Sequence, residues 1–307
     1  MMEITKVLDI TEDDVNQIEM HSVINLVTVI VSQLQVIQLT TDFPDKLNSL
    51  IEKATGLAHA ARAQDRGTFN SATLKEIRKE IMAVLNALAD IQPVLNDGHA
   101  TLEYIPVFQE ILDIASIRID ELNRRWSNPV GWETISAESF RKEFEGFFHA
   151  LEVNSKGRYR IIYNIAEQEE RDYLVNFSVK GDKRNRIYMP LLFKDVTRDL
   201  ISNARKYTPP GGQINIGVSI KENYLRFVVE DSGYGIPQEE IEKVVGFGYR
   251  GSNIREKVRT MGGGFGLTKA WFVTKKLNGR MWIESALDNG TKITLQIPLP
   301  DHLCSNE

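Results

Sequence analysis

The chain has 307 residues, of which 42% are hydrophobic and 26% charged, and its formal net charge is −5 at pH 7. This is the composition of an ordinary globular protein; the length allows two domains with their own cores, and the acidic balance argues against a nucleic-acid partner. The single cysteine, Cys304, excludes an internal disulfide framework and fits a reducing cytoplasm.

The chain begins with an acidic segment and a long apolar pattern. The first residues lack the cationic stretch of a signal peptide. Further on, apolar residues recur at alternating spacings of four and three, which is typical of a helix in a bundle. These residues are Val23, Val27, Ile30, Leu34 and Ile37. Because Asn, Thr, Ser and Gln side chains interrupt the stretch, it does not predict a membrane span.

Three further helical patterns follow before residue 128. Asp42 is predicted to cap the second helix, and Asn70 or Ser71 the third. The third helix keeps a strict seven-residue apolar repeat. Its members are Leu74, Ile77, Ile81, Val84, Leu88, Ile91 and Leu95. A turn, Asn-Asp-Gly, at 96–98 leads into the fourth helix, which also carries an apolar seam.

These seams predict two helical hairpins, 15–65 and 70–127. Short connections favour antiparallel neighbours within each hairpin. Two arrangements remain open: the hairpins cover one another within one chain, or the first hairpin forms a homodimer while the second adds a layer.

One histidine of the first helix is a candidate nucleophile. His21 lies beside the apolar seam, and Asn25 shares its face one turn later. An imidazole nitrogen can attack phosphorus once a neighbouring group accepts its proton. Ser22 can orient the ring but cannot take up a proton as a carboxylate can. A histidine on an amphipathic helix is, by itself, most often a surface residue.

The sequence SNPVG at 127–131 predicts a linker, so the expected domains are 1–130 and 131–307. In the second domain, helical and strand patterns alternate, which predicts an α/β sandwich with helices on one face of a mixed sheet. The predicted helices are 136–151, 193–206 and 267–277. The predicted strands are 159–164, 174–179, 213–220, 225–230, 281–285 and 292–298.

The helix at 193–206 carries candidate metal and phosphate ligands. Asp199 and Asn203 are four residues apart and share a face, with Lys206 and Tyr207 one turn further on. Carboxylate and amide oxygens suit Mg²⁺, and a lysine can neutralise a phosphate. Considered alone, this segment could equally be a solvated helix face.

A strand then ends at Asp231, which Gly233 and Gly235 follow. The carboxylate can accept a hydrogen bond from an exocyclic amine, and the glycines allow a flat base to approach the backbone. An ordinary turn would have a similar composition.

A second glycine motif opens the helix at 267–277. Gly262, Gly264 and Gly266 would present backbone N–H groups at the helix N-terminus, which favours a polyphosphate. Leu267 stands where a Rossmann motif has its last glycine, and no Gly-Lys-Ser/Thr of a Walker A loop is present.

The order of these motifs, closed by Gly290-Thr291, resembles the ATP-binding domain of sensor histidine kinases. Gyrase-type topoisomerases, mismatch-repair ATPases and the ninety-kilodalton heat-shock chaperone share that fold. The resemblance covers residues 138–300, about half of the chain. It implies that Asn203 holds Mg²⁺, that Asp231 reads the adenine amine of ATP, and that 238–261, with Phe247, form a mobile lid. The implied nucleotide-binding residues are Asn203, Lys206, Tyr207, Asp231, Gly233, Gly235, Arg250, Gly262, Gly264, Gly266, Leu267 and Thr291.

The helix that carries His21 is similar to the phosphoacceptor helix of the same family, in which the residue four positions on, here Asn25, helps to place the water that dephosphorylates a receiver. The leading hypothesis is a soluble, cytoplasmic histidine-kinase-type protein. It would pass a phosphoryl group from Mg-ATP through His21 to a response-regulator receiver, or act with an upstream sensor protein.

Two rival hypotheses stay open. In the first, the protein is a docking module with a regulatory ATP site, which Ser22 favours because it replaces the family's acid. In the second, it is an ATPase of the gyrase and chaperone branch, in which Asp199 activates water.

Overall fold

The computed structural model describes residues 1–8, 11–63, 65–128, 131–153, 155, 157–254 and 264–304, and within helices the side chains at 12–13, 15–19, 21–22, 125–126, 150 and 153 lie outside the description. The chain divides into a helical unit, Ile10–Pro129, and an α/β unit formed by Met1–Asp9 with Val130–Glu307.

Four helices build the helical unit. They are α1 (Glu12–Thr40), α2 (Asp45–Arg62), α3 (Ser71–Ile91) and α4 (Tyr104–Ser127). Helices that follow one another in the chain pack together, and α4 also packs against α1. All four contribute to one hydrophobic core. The two hairpins therefore lie against one another within a single chain.

The apolar seams are buried with one difference in α3. Leu74, Ile77, Ile81 and Leu88 are buried as expected, but Leu85 is buried instead of Val84, and Ile91 is 49% exposed. A straight helix has 3.6 residues per turn, so a strict seven-residue repeat drifts around it by about 20° per repeat. The seam therefore leaves the core at Ile91, whereas Leu95, which follows the end of α3, is buried again.

The N-terminal cap predicted for α3 forms, whereas the one predicted for α2 does not. The Asn70 side chain accepts hydrogen bonds from the N–H groups of Ala72 at 2.9 Å and Thr73 at 3.0 Å. The predicted cap at Asp42 is wrong, because Pro44 occupies that position of α2 and makes no side-chain cap. Asp42 instead accepts a hydrogen bond from Asn96 Nδ2 at 3.0 Å.

Part of α1 has the length and composition of a membrane span. Residues Val23–Thr40 reach a mean hydropathy of 1.6 over 18 residues. One side of this stretch, including Val27 and Leu34, is buried in the core of the helical unit. The core helix of a soluble protein satisfies the same criterion of length and hydropathy.

The α/β unit contains a seven-stranded sheet in the order β1-β8-β9-β7-β6-β4-β3. Its strands are β1 (Met2–Glu3), β3 (Ile161–Ile162), β4 (Tyr173–Lys180), β6 (Gln213–Lys221), β7 (Tyr224–Asp231), β8 (Arg280–Ser285) and β9 (Thr291–Pro298). A separate antiparallel pair comprises β2 (Trp132–Ser136) and β5 (Arg186–Pro190). The helices are α5 (Ala137–Val153), α6 (Leu191–Tyr207), α7 (Gly266–Lys276) and the short α8 (Asp301–Cys304).

The sheet is buried on one face only. Along β6, Ile214, Ile216 and Val218 are buried, whereas the intervening Asn215 and Gly217 are only partly so. Helices α5, α6 and α7 pack against the sheet, and their apolar residues join those of the strands in one core. The α/β sandwich predicted from the sequence is therefore confirmed.

The predicted domain boundary is wrong for the first nine residues, which belong to the α/β unit. Met2 and Glu3 pair with β8 in the sheet, and Ile4 is buried in the same core. A strand of two residues is too short to show the alternation by which strands are recognised in a sequence. The six predicted strands all form, although β3 is shorter than expected, while β1, β2 and β5 were not anticipated.

Candidate nucleotide-binding site

Three elements bring the predicted motifs to one end of the sheet. Asn203 lies near the end of α6, Asp231 ends β7, and Gly266 begins α7. A Cβ atom on Gly266 would stand 2.9 Å from Asn203 Nδ2. The N–H of Tyr234, three residues after Asp231, donates to the carbonyl of Tyr207 at the end of α6 at 3.1 Å. Asn203 and Gly266, which are 63 residues apart in the chain (266 − 203), are therefore in contact.

Asp231 is a partly buried carboxyl group with few partners. Its Oδ1 accepts a hydrogen bond from Gly233 N–H at 2.9 Å. Burial raises the pKa of Asp231 to about 6, although the N–H groups of Gly233 and Thr291 partly oppose that shift. Thr291 stands directly opposite Asp231 in the β7–β9 ladder. Such a carboxyl group is well suited to accept a hydrogen bond from a buried amine.

The glycines beside it are required by close approaches of the backbone. A Cβ on Gly233 would lie 2.3 Å from the Tyr207 carbonyl oxygen. Gly235 has φ +67°, and a Cβ there would lie 1.9 Å from the carbonyl oxygen of Ala286. Gly264 has φ +78° and packs on residues 248–249. At each of these positions the neighbouring backbone comes so close that a residue with a side chain would not fit without a shift.

Cationic groups line the neighbouring part of the site. Lys206 Nζ stands 5.0 Å from the centre of the Tyr207 ring. Burial, and then the positive charges of Arg250 and Arg205, lower the pKa of Lys206. Burial likewise raises the pKa of Tyr207. A cluster of partly desolvated positive groups is a favourable place for a polyanion such as a triphosphate.

Asp199 is held by a lysine that the sequence analysis missed. Lys269 Nζ, on α7, lies 3.1 Å from Asp199 Oδ2 and 3.6 Å from Asp195 Oδ2. The Lys269 side chain is 8% exposed. Its partner lies on another helix, and the only sequence signal was the pair of acids one turn apart on α6.

The described part of the predicted lid is tied to the first glycine motif. Asn253 Nδ2 donates to the carbonyl oxygen of Gly235 at 3.0 Å. Glu240 accepts from Ser252 N–H at 3.0 Å. The Phe247 ring, 4.7 Å from that of Phe265 between centres, reaches the start of α7. Asn253 was missed, since a side chain that bonds to a distant backbone leaves no sequence pattern.

Some predicted residues lie elsewhere or outside the description. Gly262 and lid residues 255–261 lie outside the described residues, whereas Leu267 packs against the core of the α/β unit. His21 belongs to α1 of the helical unit, and its side chain lies outside the description. Asn25, one turn later, is exposed.

The polar groups of the site fit a nucleotide better than a metal ion that is bound by protein side chains alone. Among the described residues there is no group of three or more His, Cys, Asp or Glu side chains that could hold a metal ion. The partly buried Asp231, the backbone around the glycines and the cationic groups near Lys206 offer contacts to a base and to phosphates. Mg²⁺ that arrives with phosphates needs only one or two protein oxygens, which Asn203 could supply.

Residues 189–301 match the family model of the histidine kinase-, DNA gyrase B-, and HSP90-like ATPases. The chain is 37% identical to the sensor histidine kinase WalK of Bacillus subtilis over 106 residues, which are 34% of this chain and 17% of WalK. It is 27% identical to the histidine protein kinase DivJ of Caulobacter vibrioides over 269 residues, which are 83% of this chain and 43% of DivJ. In this chain, residues 189–301 therefore belong to this family of ATPases, and the relatives that match the chain are histidine kinases.

Its ATPase-type domain comprises α6, β6, β7, α7, β8 and β9 within the matched residues. The catalytic domain of histidine kinase ThkA, in a nucleotide-free form, superposes with a TM-score of 0.40 at 20% identity, covering 55% of this chain and 95% of that domain. The chain spans less than half the length of WalK or DivJ.

Proposed function

We propose that this histidine kinase relative binds Mg-ATP at the end of β7 and passes the γ-phosphoryl group through His21 to an aspartate on a response-regulator receiver. The convergence of Asn203, Asp231 and Gly266 carries the proposal. In it, Asn203 holds Mg²⁺, Asp231 accepts a hydrogen bond from the adenine amine, and Lys206 and Tyr207 contact the nucleotide.

The transfer is written so that atoms and charge balance. A ring nitrogen of His21 attacks the γ-phosphorus, the bond from phosphorus to the bridging oxygen breaks, and its electron pair leaves with ADP. The other ring nitrogen then releases its proton to solvent, because Ser22 cannot take it up as a carboxylate would. The receiver's aspartate afterwards displaces the imidazole from the phosphorus.

Incubation with γ-labelled ATP tests this sequence of steps. We expect label on the protein, stable to alkali and labile to acid, and none on His21→Gln. Equal labelling of His21→Gln would refute the role of His21. If proton uptake limits the rate, Ser22→Glu should label faster, since it supplies a carboxylate next to the ring.

ATP binding is tested separately by the melting temperature. A ligand that binds only the folded protein stabilises it by mass action, so ATP with Mg²⁺ should raise the melting temperature. Asn203→Ala and Asp231→Ala should each abolish the rise. If the intact protein shows no rise, the site does not bind ATP.

A docking module with a regulatory ATP site is the second candidate function, because Ser22 replaces the usual acid. It predicts bound, unchanged ATP and no label on the protein. For hydrolysis by Asp199, the third, the pairing with Lys269 is unfavourable, because Asp199 Oδ2 already accepts from an ammonium group at 3.1 Å. Label released as phosphate would favour that reading.

The proposed setting is the cytoplasm, with a receiver domain or an upstream sensor protein as partner. The lone Cys304 supports a reducing compartment. The helical unit buries its seams within one chain, so this unit does not require a second copy for its core. Cell fractionation with an antibody against the intact chain would test the location.

A further inference from the structure

The buried ion pairs between α6 and α7 lie directly beside the candidate nucleotide-binding site. Lys269 belongs to the first turn of α7, which begins at Gly266, and its side chain is 8% exposed. Its Nζ lies 3.1 Å from Asp199 Oδ2 and 3.6 Å from Asp195 Oδ2, on successive turns of α6. Asn203, the proposed magnesium ligand, follows one turn after Asp199 on the same face of that helix. The lysine therefore holds a carboxylate that borders the proposed site.

The two carboxylates differ in their access to water. Asp195 is 8% exposed, and its Oδ1 lies 3.6 Å from the guanidinium of Arg198. The Asp199 side chain is 39% exposed, so water can reach it, and a carboxylate that takes a proton from water acts as a general base. Lys269 Nζ donates to Asp199 Oδ2. Because a charge-assisted hydrogen bond is strong, the ammonium group competes with water for that oxygen.

Packing alone does not require a lysine at position 269. The residues that follow it in α7, Ala270, Trp271 and Val273, are buried in the apolar core of the α/β unit. A buried charge needs a partner, and well-packed apolar residues in place of a buried ion pair often leave the stability unchanged or raise it. An apolar residue at 269, facing uncharged residues on α6, would therefore join the two helices equally well. The charges are better explained by the chemistry of the adjoining site.

We propose that Lys269 sets the reaction specificity of the site: it keeps Asp199 from activating water and so reserves the γ-phosphoryl group for a protein acceptor. This inference rests on the proposed binding of Mg-ATP. In the reaction that Lys269 suppresses, Asp199 takes a proton from a water molecule while the water oxygen attacks the γ-phosphorus. The bond from phosphorus to the bridging oxygen breaks, its electron pair leaves with ADP, and inorganic phosphate is released.

Phosphate release from γ-labelled ATP, measured on the full chain with Mg²⁺, tests this role. Lys269→Met frees Asp199, so release should rise at least about tenfold over the wild type, since a general base contributes about a hundredfold or more to a rate. Lys269→Met/Asp199→Asn removes the base as well and should abolish the rise. Lys269→Arg keeps a cation beside both carboxylates and should show no rise. A purely structural lysine would instead give a loss of activity in Lys269→Met, with no dependence on Asp199.

A second variant avoids the loss of stability that Lys269→Met alone causes. Asp195→Asn/Lys269→Met removes the more buried carboxylate together with its lysine and leaves the more exposed Asp199 in place, so it should fold and show the same rise. Lys275→Met is the matched control. Lys275 lies on the same helix, is exposed, and has its ammonium group 5.1 Å from the centre of the Trp271 ring. Its replacement removes one positive charge from α7 but leaves the Asp199 pair intact, so release should stay at the wild-type level.

The melting temperature of every variant with and without Mg-ATP separates this inference from the proposed function. If Mg-ATP does not raise the melting temperature of the wild type, the proposed function and this inference both fail. If Lys269→Met and Asp195→Asn/Lys269→Met bind ATP but release no more phosphate than the wild type, the inference alone is overturned. A rise that persists in Lys269→Met/Asp199→Asn overturns it too, because Asp199 is then not the base that Lys269 withholds.

Discussion

The residues that define the helical unit and those that define the candidate nucleotide-binding site have opposite effects on the stability of the fold. In the helical unit, the residues that define the structure also stabilise it: Asn70 caps α3, and Ile81 is completely buried. In the site, several defining features lower the stability of the empty protein. Gly235 has a positive φ, and burial shifts the pKa of Asp231 and of Lys206 against their charged forms. Such local destabilisation, in a chain that is otherwise well packed, indicates a group kept for its ligand.

Lys269 is the exception in the site, and replacing it should have the largest effect. It is buried between Asp195 and Asp199, so Lys269→Met leaves two carboxylates without their shared ammonium group. Removing one partner of a buried ion pair costs about 3–5 kcal/mol. Because Asp199 is 39% exposed and Asp195 keeps Arg198 at 3.6 Å, we expect a loss near the lower end, about 3 kcal/mol, in the free energy of unfolding measured with urea.

The matched control is Lys221→Met. Lys221 pairs with Glu222 on the surface, where its side chain is 78% exposed. Such pairs contribute about 0–1 kcal/mol, so this variant should unfold much like the wild type. Equal effects of the two variants would show that the Lys269 cluster does not hold α6 to α7.

Asp231→Asn should stabilise the empty protein while it abolishes ATP binding. The folded-state pKa of Asp231 is raised from 3.8 to about 6. A raised carboxyl pKa adds stability that is present below the unfolded value and is lost as the pH rises through about 6. Asparagine does not titrate, so the variant should be more stable by up to about 3 kcal/mol at pH 7.5, and by little at pH 4.

The same titration should govern ligand binding with the opposite sign. Protonation removes the charge with which Asp231 accepts a hydrogen bond from an amine, so the rise in melting temperature caused by ATP should shrink as the pH falls through about 6. A variant no more stable at pH 7.5 than the wild type would contradict the idea that Asp231 is kept at a cost to the fold.

Two glycine substitutions, one in each region, should change the stability of the protein in opposite directions. At Gly235, alanine must adopt φ +67° with its Cβ 1.9 Å from Ala286, so Gly235→Ala should cost at least about 2 kcal/mol and remove ATP binding. At Gly56, in α2, a Cβ meets nothing within 4 Å. Gly56→Ala should therefore raise the stability by up to about 1 kcal/mol. Thermal unfolding with and without ATP measures both effects.

The residues of the candidate site could be singled out in the sequence because each belongs to a pattern with a chemical meaning. A carboxyl group at a strand end and glycines at fixed spacing are visible without any knowledge of the fold, and the structure brings Asn203, Asp231 and Gly266 together. Lys269 and Asn253 were missed because their partners are distant in the chain and leave no periodic pattern.

The helical unit was predicted by periodicity, which locates helices better than it locates their ends or function. The drift of the α3 seam exposed Ile91, and Met2 and Glu3 formed a strand too short to show a pattern. Periodicity also gives no information on the function of His21, because the helix would carry the same apolar seam without that histidine.

The smallest predicted effect concerns the two candidate caps of the helical unit. Both residues are common at helix N-termini, and the sequence alone assigned each of them a cap. Asn70 accepts from two N–H groups at the start of α3, so Asn70→Ala leaves them without a side-chain acceptor and should cost about 1 kcal/mol. Asp42 precedes Pro44 and caps nothing; its hydrogen bond to Asn96 is exposed, so Asp42→Ala should cost less than about half as much. Urea unfolding of the two variants measures the difference, and a larger loss in Asp42→Ala would mean that the start of α2 is held by Asp42 after all.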